Sequence, residues 1–336
     1  MERRKISSLG KYSLVVTLPK DWTKMNKLQG GDEVSLKIQG DGSLVIHPEY
    51  SFNGKQNEIV LSINVNEDVK TIQRKIIGCY LNGYDTIELK SGKNFSREQQ
   101  DGIRSIVRSL YMRIYESHAN HVILQAFMDE SLASVTSGIE RMHIITNSMA
   151  KDVITSMREW DIDLANSVIS LEEDVDQFMF FLTRLLRTAV NNPSLASKLQ
   201  VSMSDCFDYH LLVNRIEYVA DCLTIIAESI IELFEHRSSI PKPVLQSLVN
   251  SATTSFDFFN RSVDAFFSDS LVDTGEIIDY ADENQSLDST LQDLPHNENE
   301  NQIIILCHSI LENIERISNH TADIAELIID RHYVPT

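Results

Sequence analysis

NRIEYVADCLTIIAESII at residues 214–231 sets the architecture of this chain, because the chain nearly repeats it as ENIERISNHTADIAELII at residues 312–329. At a shift of 98 residues, the separation of Glu217 and Glu315, seven of the sixteen positions from Ile216 onward are identical. Two unrelated amphipathic helices should share fewer. The repeat therefore predicts a duplicated body built from two related sets of helices.

Both copies carry a polar side chain four residues after their first acid: Asp221 follows Glu217, and Asn319 follows Glu315. Side chains at positions i and i+4 lie above one another on one face of a helix. Each helix therefore offers a short row of oxygen ligands. Such rows are usually no more than the wet face of an amphipathic helix, but their repetition at matched places favours a site.

A second row of oxygen ligands precedes each copy. Glu172 and Asp176 in LEEDVDQF have the same spacing, and Asp288 in ADENQSLDST lies at the corresponding place in the second half. Helical bundles build carboxylate metal sites from facing rows of this kind. Oxygen ligands suit hard divalent cations and also iron and manganese, so divalent or iron-type metal ions are the expected cofactors.

Length and composition indicate a globular chain of about two to three domains. The chain has 336 residues, of which 42% are hydrophobic and 24% charged. No apolar run is long enough to span a bilayer, and no apolar signal core follows the first residues. The four cysteines are scattered without a C-x-x-C pair, which is typical of a reducing compartment. We therefore expect a cytoplasmic protein without membrane insertion.

Charge is unevenly distributed along the chain. The net charge is −19, yet residues 1–28 hold seven basic side chains against two acidic ones, a net charge of +5, which leaves −24 for the remainder. A basic head predicts an anionic partner, while an acidic body indicates cation binding or plain solubility. The basic side chains are Arg3, Arg4, Lys5, Lys11, Lys20, Lys24 and Lys27.

Residues 1–50 predict a small strand-rich head. Apolar residues alternate from Tyr12 to Leu18, Pro19 ends that strand, a helical turn or two follows to Leu28, and two further strands are expected at 34–38 and 44–46. A unit of this size buries too little surface to fold alone. We therefore expect it to form a homodimer.

A series of short motifs falls in order along this head: Arg4-Lys5-Ile6, Gly10, Leu18-Pro19-Lys20-Asp21-Trp22, Leu28, Gly31-Asp32-Glu33-Val34 and Gly42-Ser43-Leu44-Val45-Ile46. The head resembles the swapped-hairpin DNA-binding domain of the AbrB, MazE and SpoVT families. The resemblance implies two chains that interleave their strands into one barrel and contact DNA through basic residues of the first strand and loop. Here those residues are Arg3, Arg4, Lys5, Lys11 and Lys20.

Residues 57–128 predict a small α+β module of alternating strands and helices. Strands are expected at 59–65, 86–90 and 120–126, with helices at 67–81 and from Ser96 onward. The module shows no glycine-rich phosphate loop, no Cys/His cluster and no nucleophile motif in its sequence. His118 and His121 lie three apart near a strand and are a weak signal. A spacer, coupling or dimerisation role is favoured over a catalytic one.

From Met128 onward the pattern is helical. Breaks at 191–193, 241–243 and 293–301 divide it into two three-helix repeats, 129–238 and 241–333, packed as one all-α bundle. The six helices are expected at about 130–158, 160–190, 198–236, 242–268, 271–292 and 300–331.

The clearest signature in this body is Glu315-Arg316-Ile317-Ser318-Asn319 followed by Asp323-Ile324-Ala325-Glu326. It resembles the E-R-I-x-D-x-x-x-N-I-A-E motif of the PhoU family of phosphate-uptake regulators, whose acids can bind metal ions on the bundle surface. By position that role passes to Glu172, Asp176, Glu217 and Asp221 in the first repeat, and to Asp288, Glu315, Asn319 and Asp323 in the second. Asp and Asn are exchanged at 319 and 323, and Asn284 replaces an acid, so the second repeat has fewer formal charges and should hold metal less well.

Together these features predict a homodimeric transcriptional regulator of phosphate uptake whose body senses metal, phosphate or a transporter subunit. The alternative is an adaptor that docks on a phosphate ABC transporter or sensor kinase, with the head only dimerising. Steep salt dependence of DNA binding separates the two. An antitoxin is disfavoured by the 200-residue body. An enzyme is not expected, because the E-x-x-H motif of di-iron oxidases is missing from the helices that carry the carboxylate rows.

Overall fold

The computed structural model describes residues 3–38, 42–48, 57–127, 134–283 and 301–333, and the chain divides into two compact units, Met1–Asn57 and Glu58–Thr336. The first is rich in strands, and the second combines a four-stranded sheet with a helical bundle. The predicted fold class is thereby confirmed. Asp288 and most of the predicted break at 293–301 lie outside the described residues.

The first unit contains two antiparallel hairpins and one short helix. β1 pairs with β2 across a turn in which Gly10 has a φ of 71°, a conformation that glycine adopts without strain. β2 covers only part of the predicted strand at 12–18, and Pro19 occupies the N-cap position of the next helix. The elements are β1 (Ser7–Leu9), β2 (Ser13–Val15), α1 (Lys20–Met25), β3 (Val34–Ile38) and β4 (Leu44–Pro48).

The second unit begins with a sheet of order β5-β6-β8-β7, in which β5 and β6 are parallel and the other pairs antiparallel. Asp68 caps the first helix and Ser96 with Gln99 forms a capping box on the second, as predicted for Ser96. The elements are β5 (Glu58–Ile63), α2 (Val69–Leu81), β6 (Thr86–Ser91), α3 (Arg97–Ser109), β7 (Met112–His118) and β8 (His121–Ala126).

Strand β7 was not predicted. It is an edge strand with one half-buried face, and a bulge between Ile114 and Glu116 interrupts its alternation. Both properties erase the period-two pattern by which strands are recognised in a sequence.

The rest of the second unit is a bundle around one continuous hydrophobic core. Apart from α6, the helices of the bundle begin and end within a few residues of their predicted bounds where the chain is described. The sequence does not predict α6, because Pro193, expected only as a break, occupies the first turn of a short helix. The helices are α4 (Val135–Glu159), α5 (Ile162–Asn191), α6 (Pro193–Lys198), α7 (Met203–Leu233), α8 (Lys242–Ser268), α9 (Thr274–Glu283) and α10 (Asn301–His332). None of the described helices is long and apolar enough to cross a membrane.

Helix α5 joins the bundle to the sheet through Arg184, whose side chain is only 4% exposed. Its guanidinium donates to the carbonyl oxygens of Tyr80 and Tyr84 at 2.5 and 2.9 Å, and to Oδ1 of Asp85 at 2.8 Å. A buried arginine is tolerated only when its donors are satisfied in this way. The contact fixes α5 between the sheet module and the rest of the bundle.

Candidate functional site

The acidic rows of α5 and α7 come together on the bundle. The two helices pack against each other along their length, and Glu172 and Asp176 on α5 face Glu217 and Asp221 on α7 closely enough for their charges to interact. All four side chains are half-buried. The spacing of four residues within each row therefore produces one joint cluster, which we call the α5–α7 carboxylate set.

The α5–α7 carboxylate set has strongly perturbed acidities. Burial first, and then the neighbouring carboxylates, raises the pKa of Glu217 to about 8. The same two causes raise the pKa of Glu172 to about 7 and that of Asp176 to about 6. Burial raises the pKa of Asp221 as well. Near neutral pH this set cannot ionise fully without a positive charge to compensate it.

The described ion pairs place no lysine or arginine on this set. A hard or intermediate cation would supply the missing charge, and the oxygens provide a suitable donor set. The four acids do not form a described group of three ligand atoms within 4.8 Å of one another. An ion bound here would therefore require the side chains to move closer together.

The second predicted set differs in its neighbours. Glu315 is half-buried and Asn319 is exposed on α10, while Oδ2 of Asp323 lies 3.1 Å from Nη1 of Arg215 and 3.5 Å from Nδ1 of His320. Burial first, and then the charge of Arg215, lowers the pKa of His320. Asp323 is thus already ion-paired within the chain.

Arg215 is the residue that sequence reasoning missed at this second set. It precedes Glu217 by two positions, where the repeated helix has Asn313 instead. The difference was visible in the alignment of the two copies. The pairing of Arg215 with Asp323 depends on the packing of α7 against α10, which brings one copy of the repeat against the other.

In the first unit, the basic residues predicted to contact DNA are all solvent-exposed. Lys11 lies in the β1–β2 turn, and Lys20 begins α1. Exposed basic side chains can approach phosphates and release their counterions. The full set is Arg3, Arg4, Lys5, Lys11 and Lys20.

The same unit exposes much of its apolar surface. Tyr12 is 96% exposed and Ile38 is 76% exposed, and Pro48 alone is buried among the residues of this unit for which burial is described. A hydrophobic face without a covering layer is unfavourable for an isolated domain. The large exposed side chains are Ile6, Leu9, Tyr12, Leu14, Val15, Val16, Met25, Leu36, Ile38 and Leu44.

Two family models match the chain. Residues 139–230 match the PhoU domain, and residues 11–51 match the antidote-toxin recognition domain of MazE, a bacterial antitoxin. Both resemblances seen in the sequence are confirmed by these matches. The PhoU match contains the whole α5–α7 carboxylate set.

A solved structure, that of PhoU from Pseudomonas aeruginosa, is similar to this chain with a TM-score of 0.49 and 18% sequence identity. The similarity covers 58% of this chain and 93% of that one. No curated protein matches the chain.

Proposed function

We propose that this chain is a non-enzymatic, DNA-binding transcriptional regulator of phosphate uptake, in which a PhoU-like body controls a dimeric AbrB-like head. The two family matches support the association of a phosphate-regulation domain with a DNA-binding type of domain in one chain. The observation that carries the proposal is the α5–α7 carboxylate set, which concentrates acids of raised pKa without a compensating cation inside the PhoU match. Such a set is suited to respond to a bound ion.

In this proposal Glu172, Asp176, Glu217 and Asp221 hold a divalent or iron-type cation, with a weaker second set formed by Asp288, Glu315, Asn319 and Asp323. Ion binding favours the arrangement of α5 and α7 in which the carboxylates converge. Because Arg184 links α5 to the sheet module, a shift of α5 would move the residues of the sheet module that Arg184 contacts. Phosphate or a transporter subunit is the further effector proposed for this body.

The proposed dimer forms through the heads. A second copy of the head would cover the exposed apolar side chains of β1 to β4, and it would double the net charge of +5 that faces DNA. Doubling the number of lysine and arginine contacts to phosphate increases affinity and steepens its salt dependence.

The test uses the full-length chain and promoter fragments of phosphate-uptake genes from its own genome. Affinity should fall steeply with salt, and Lys11→Ala with Lys20→Ala should reduce the slope of log affinity against log salt by about one for each phosphate that is no longer neutralised. Lys151→Ala is the matched control, since Lys151 is exposed on α4 and lies outside the head. No binding at low salt would overturn the DNA-binding role and favour the docking adaptor.

A second arm tests the sensor. Mn²⁺ is the probe ion because it accepts oxygen ligands. At constant ionic strength it should change promoter affinity for the unaltered chain and have no such effect on Glu217→Gln with Asp221→Asn. If Mn²⁺ and inorganic phosphate leave the affinity of the unaltered chain unchanged, the body does not control the head.

A further inference from the structure

The four-stranded sheet has one covered face and one open face. Ile87 and Leu89 on β6 and Leu124 on β8 are fully buried against α2 and α3. Side chains alternate along a strand, so the residues between them project from the opposite face. Glu88 and His121 project there, and both are partly exposed. The open face is therefore polar around the β7–β8 hairpin.

The hairpin places two histidines side by side on that open face. His118 and His121 are direct partners across the turn, and their rings stack with centroids 6.0 Å apart and planes 10° apart. The bulge in β7 determines the facing: Ile114 opposes Leu124 on the covered side, whereas Glu116 opposes Ile123 on the open side. A bulge that redirects side chains in this way is frequent beside functional sites.

The three side chains thus brought to one face lie close together. One ligand atom each from Glu116, His118 and His121 lies within 4.8 Å of the other two. Tetrahedral coordination at a metal–nitrogen distance of about 2.0 Å separates ligands by roughly 3.3 Å, so adjustments of at most about 1.5 Å complete the geometry. Among the described residues this is the group of three potential ligands that meets that distance.

Glu88 lies beside the group without belonging to it. Its Oε1 is 2.6 Å from Nε2 of His121, which leaves Nδ1 of that ring for coordination. Lys90 pairs with the same carboxylate at 2.9 Å. A carboxylate on the far nitrogen of a coordinating imidazole fixes the tautomer and the ring orientation.

We propose that Glu116, His118 and His121 bind one divalent transition-metal ion of the Zn²⁺, Ni²⁺ or Cu²⁺ class, with Glu88 as the carboxylate that orients His121. Two imidazoles and one carboxylate select this class over Mg²⁺ or Ca²⁺, which prefer oxygen ligands throughout. The site is chemically distinct from the all-oxygen α5–α7 carboxylate set. It joins the edge strand β7 to β8 through the ion.

The nitrogen ligands make the site testable in the presence of the acidic one. We would add Cu²⁺ to the tag-free full-length chain after metal removal and record electron paramagnetic resonance spectra. One equivalent should show superhyperfine coupling to two imidazole nitrogens. His118→Asn and His121→Asn should each remove one nitrogen and weaken binding by more than about tenfold. Zn²⁺ should displace the copper signal.

Two controls fix the assignment. His308→Asn, at an exposed histidine on α10, should change neither the spectrum nor the affinity, and Glu217→Gln with Asp221→Asn should leave the nitrogen coupling intact. Absence of nitrogen coupling, or coupling that persists in both His118→Asn and His121→Asn, would overturn the proposal. Circular dichroism of each variant confirms that the fold is retained.

Discussion

The two carboxylate sets have nearly the same sequence spacing and opposite electrostatic surroundings. In the α5–α7 set, acids meet acids, and burial raises the pKa of Glu217 to about 8. On α10, Asp323 meets Arg215 at 3.1 Å. The two repeated helices α7 and α10 pack against each other, so the arginine that pairs with Asp323 of the second set is supplied by the first repeat. Duplication of a helix therefore copies ligand spacing without copying the charge around the ligands.

The largest difference expected between the sets is in metal retention. Glu217→Ala with Asp221→Ala should weaken binding of Mn²⁺ by more than about a hundredfold, because two ligands of the α5–α7 carboxylate set are removed. Elemental analysis and calorimetry measure the effect. Glu326→Gln, at an exposed acid on α10, is the matched control. Unchanged metal content in the double variant would refute the ligand assignment.

The pH dependence of stability should distinguish the sets next. Carboxyls with a pKa higher in the folded chain than in the unfolded chain bind more protons when folded. The free energy of unfolding therefore decreases as pH rises from about 4.5, the usual glutamate value, to about 8, the folded value for Glu217. Glu217→Gln should flatten this decline, and saturating Mn²⁺ should oppose it.

From pH 5 to pH 8 the melting temperature of Glu217→Gln should rise by about 3–6 °C relative to that of the unaltered chain. This corresponds to roughly 1–2 kcal/mol of unfolding free energy, after allowance for the partial exposure of the Glu217 carboxyl. Thermal melts without metal measure it. Glu326→Gln should melt in parallel with the unaltered chain at every pH. A difference in melting temperature that stays the same at every pH would show that the pKa of the Glu217 carboxyl is not raised.

Removal of the arginine should make the second set more like the first. Arg215→Gln, placed on a chain that already lacks the Glu217 and Asp221 carboxylates, should increase the residual Mn²⁺ affinity by about two- to fivefold, the size of a partly exposed ion pair. Calorimetry on the chain that lacks the Glu217 and Asp221 carboxylates, with and without Arg215→Gln, gives the ratio of the two Mn²⁺ affinities. Arg316→Gln is the control, since Arg316 pairs with Glu312 on the same helix at 2.5 Å. Equal effects of both substitutions would mean that Arg215 has no special role.

The smallest effect is expected from restoring an acid at position 319. Asn319→Asp places a third carboxylate between Glu315 and Asp323 at spacings of four, and should lower stability without metal by about 0.2–0.5 kcal/mol. A divalent cation should reverse this decrease. Chemical denaturation with and without Mn²⁺ measures both steps, and Asn319→Gln should show neither.

Most of the helical body could be predicted from the sequence, because long amphipathic helices carry a strong period of three to four residues. The bounds of α8 agree with the predicted 242–268. Strand β7 could not be predicted, since its bulge and its position at the sheet edge remove the alternation. For the same reason His118 and His121 were only a weak signal. Their approach to Glu116 depends on hairpin register and on the bulge together.

The rows of oxygen ligands follow from the sequence alone, since the i, i+4 spacing that places Glu217 beside Asp221 is a local property of one helix. The basic head and the two family resemblances follow from it as well. That one row faces other carboxylates, while Asp323 faces Arg215, became known only from the packing of the helices. A pKa and an ion pair depend on what a neighbouring helix presents across the packing interface, and the spacing along either helix does not contain that information.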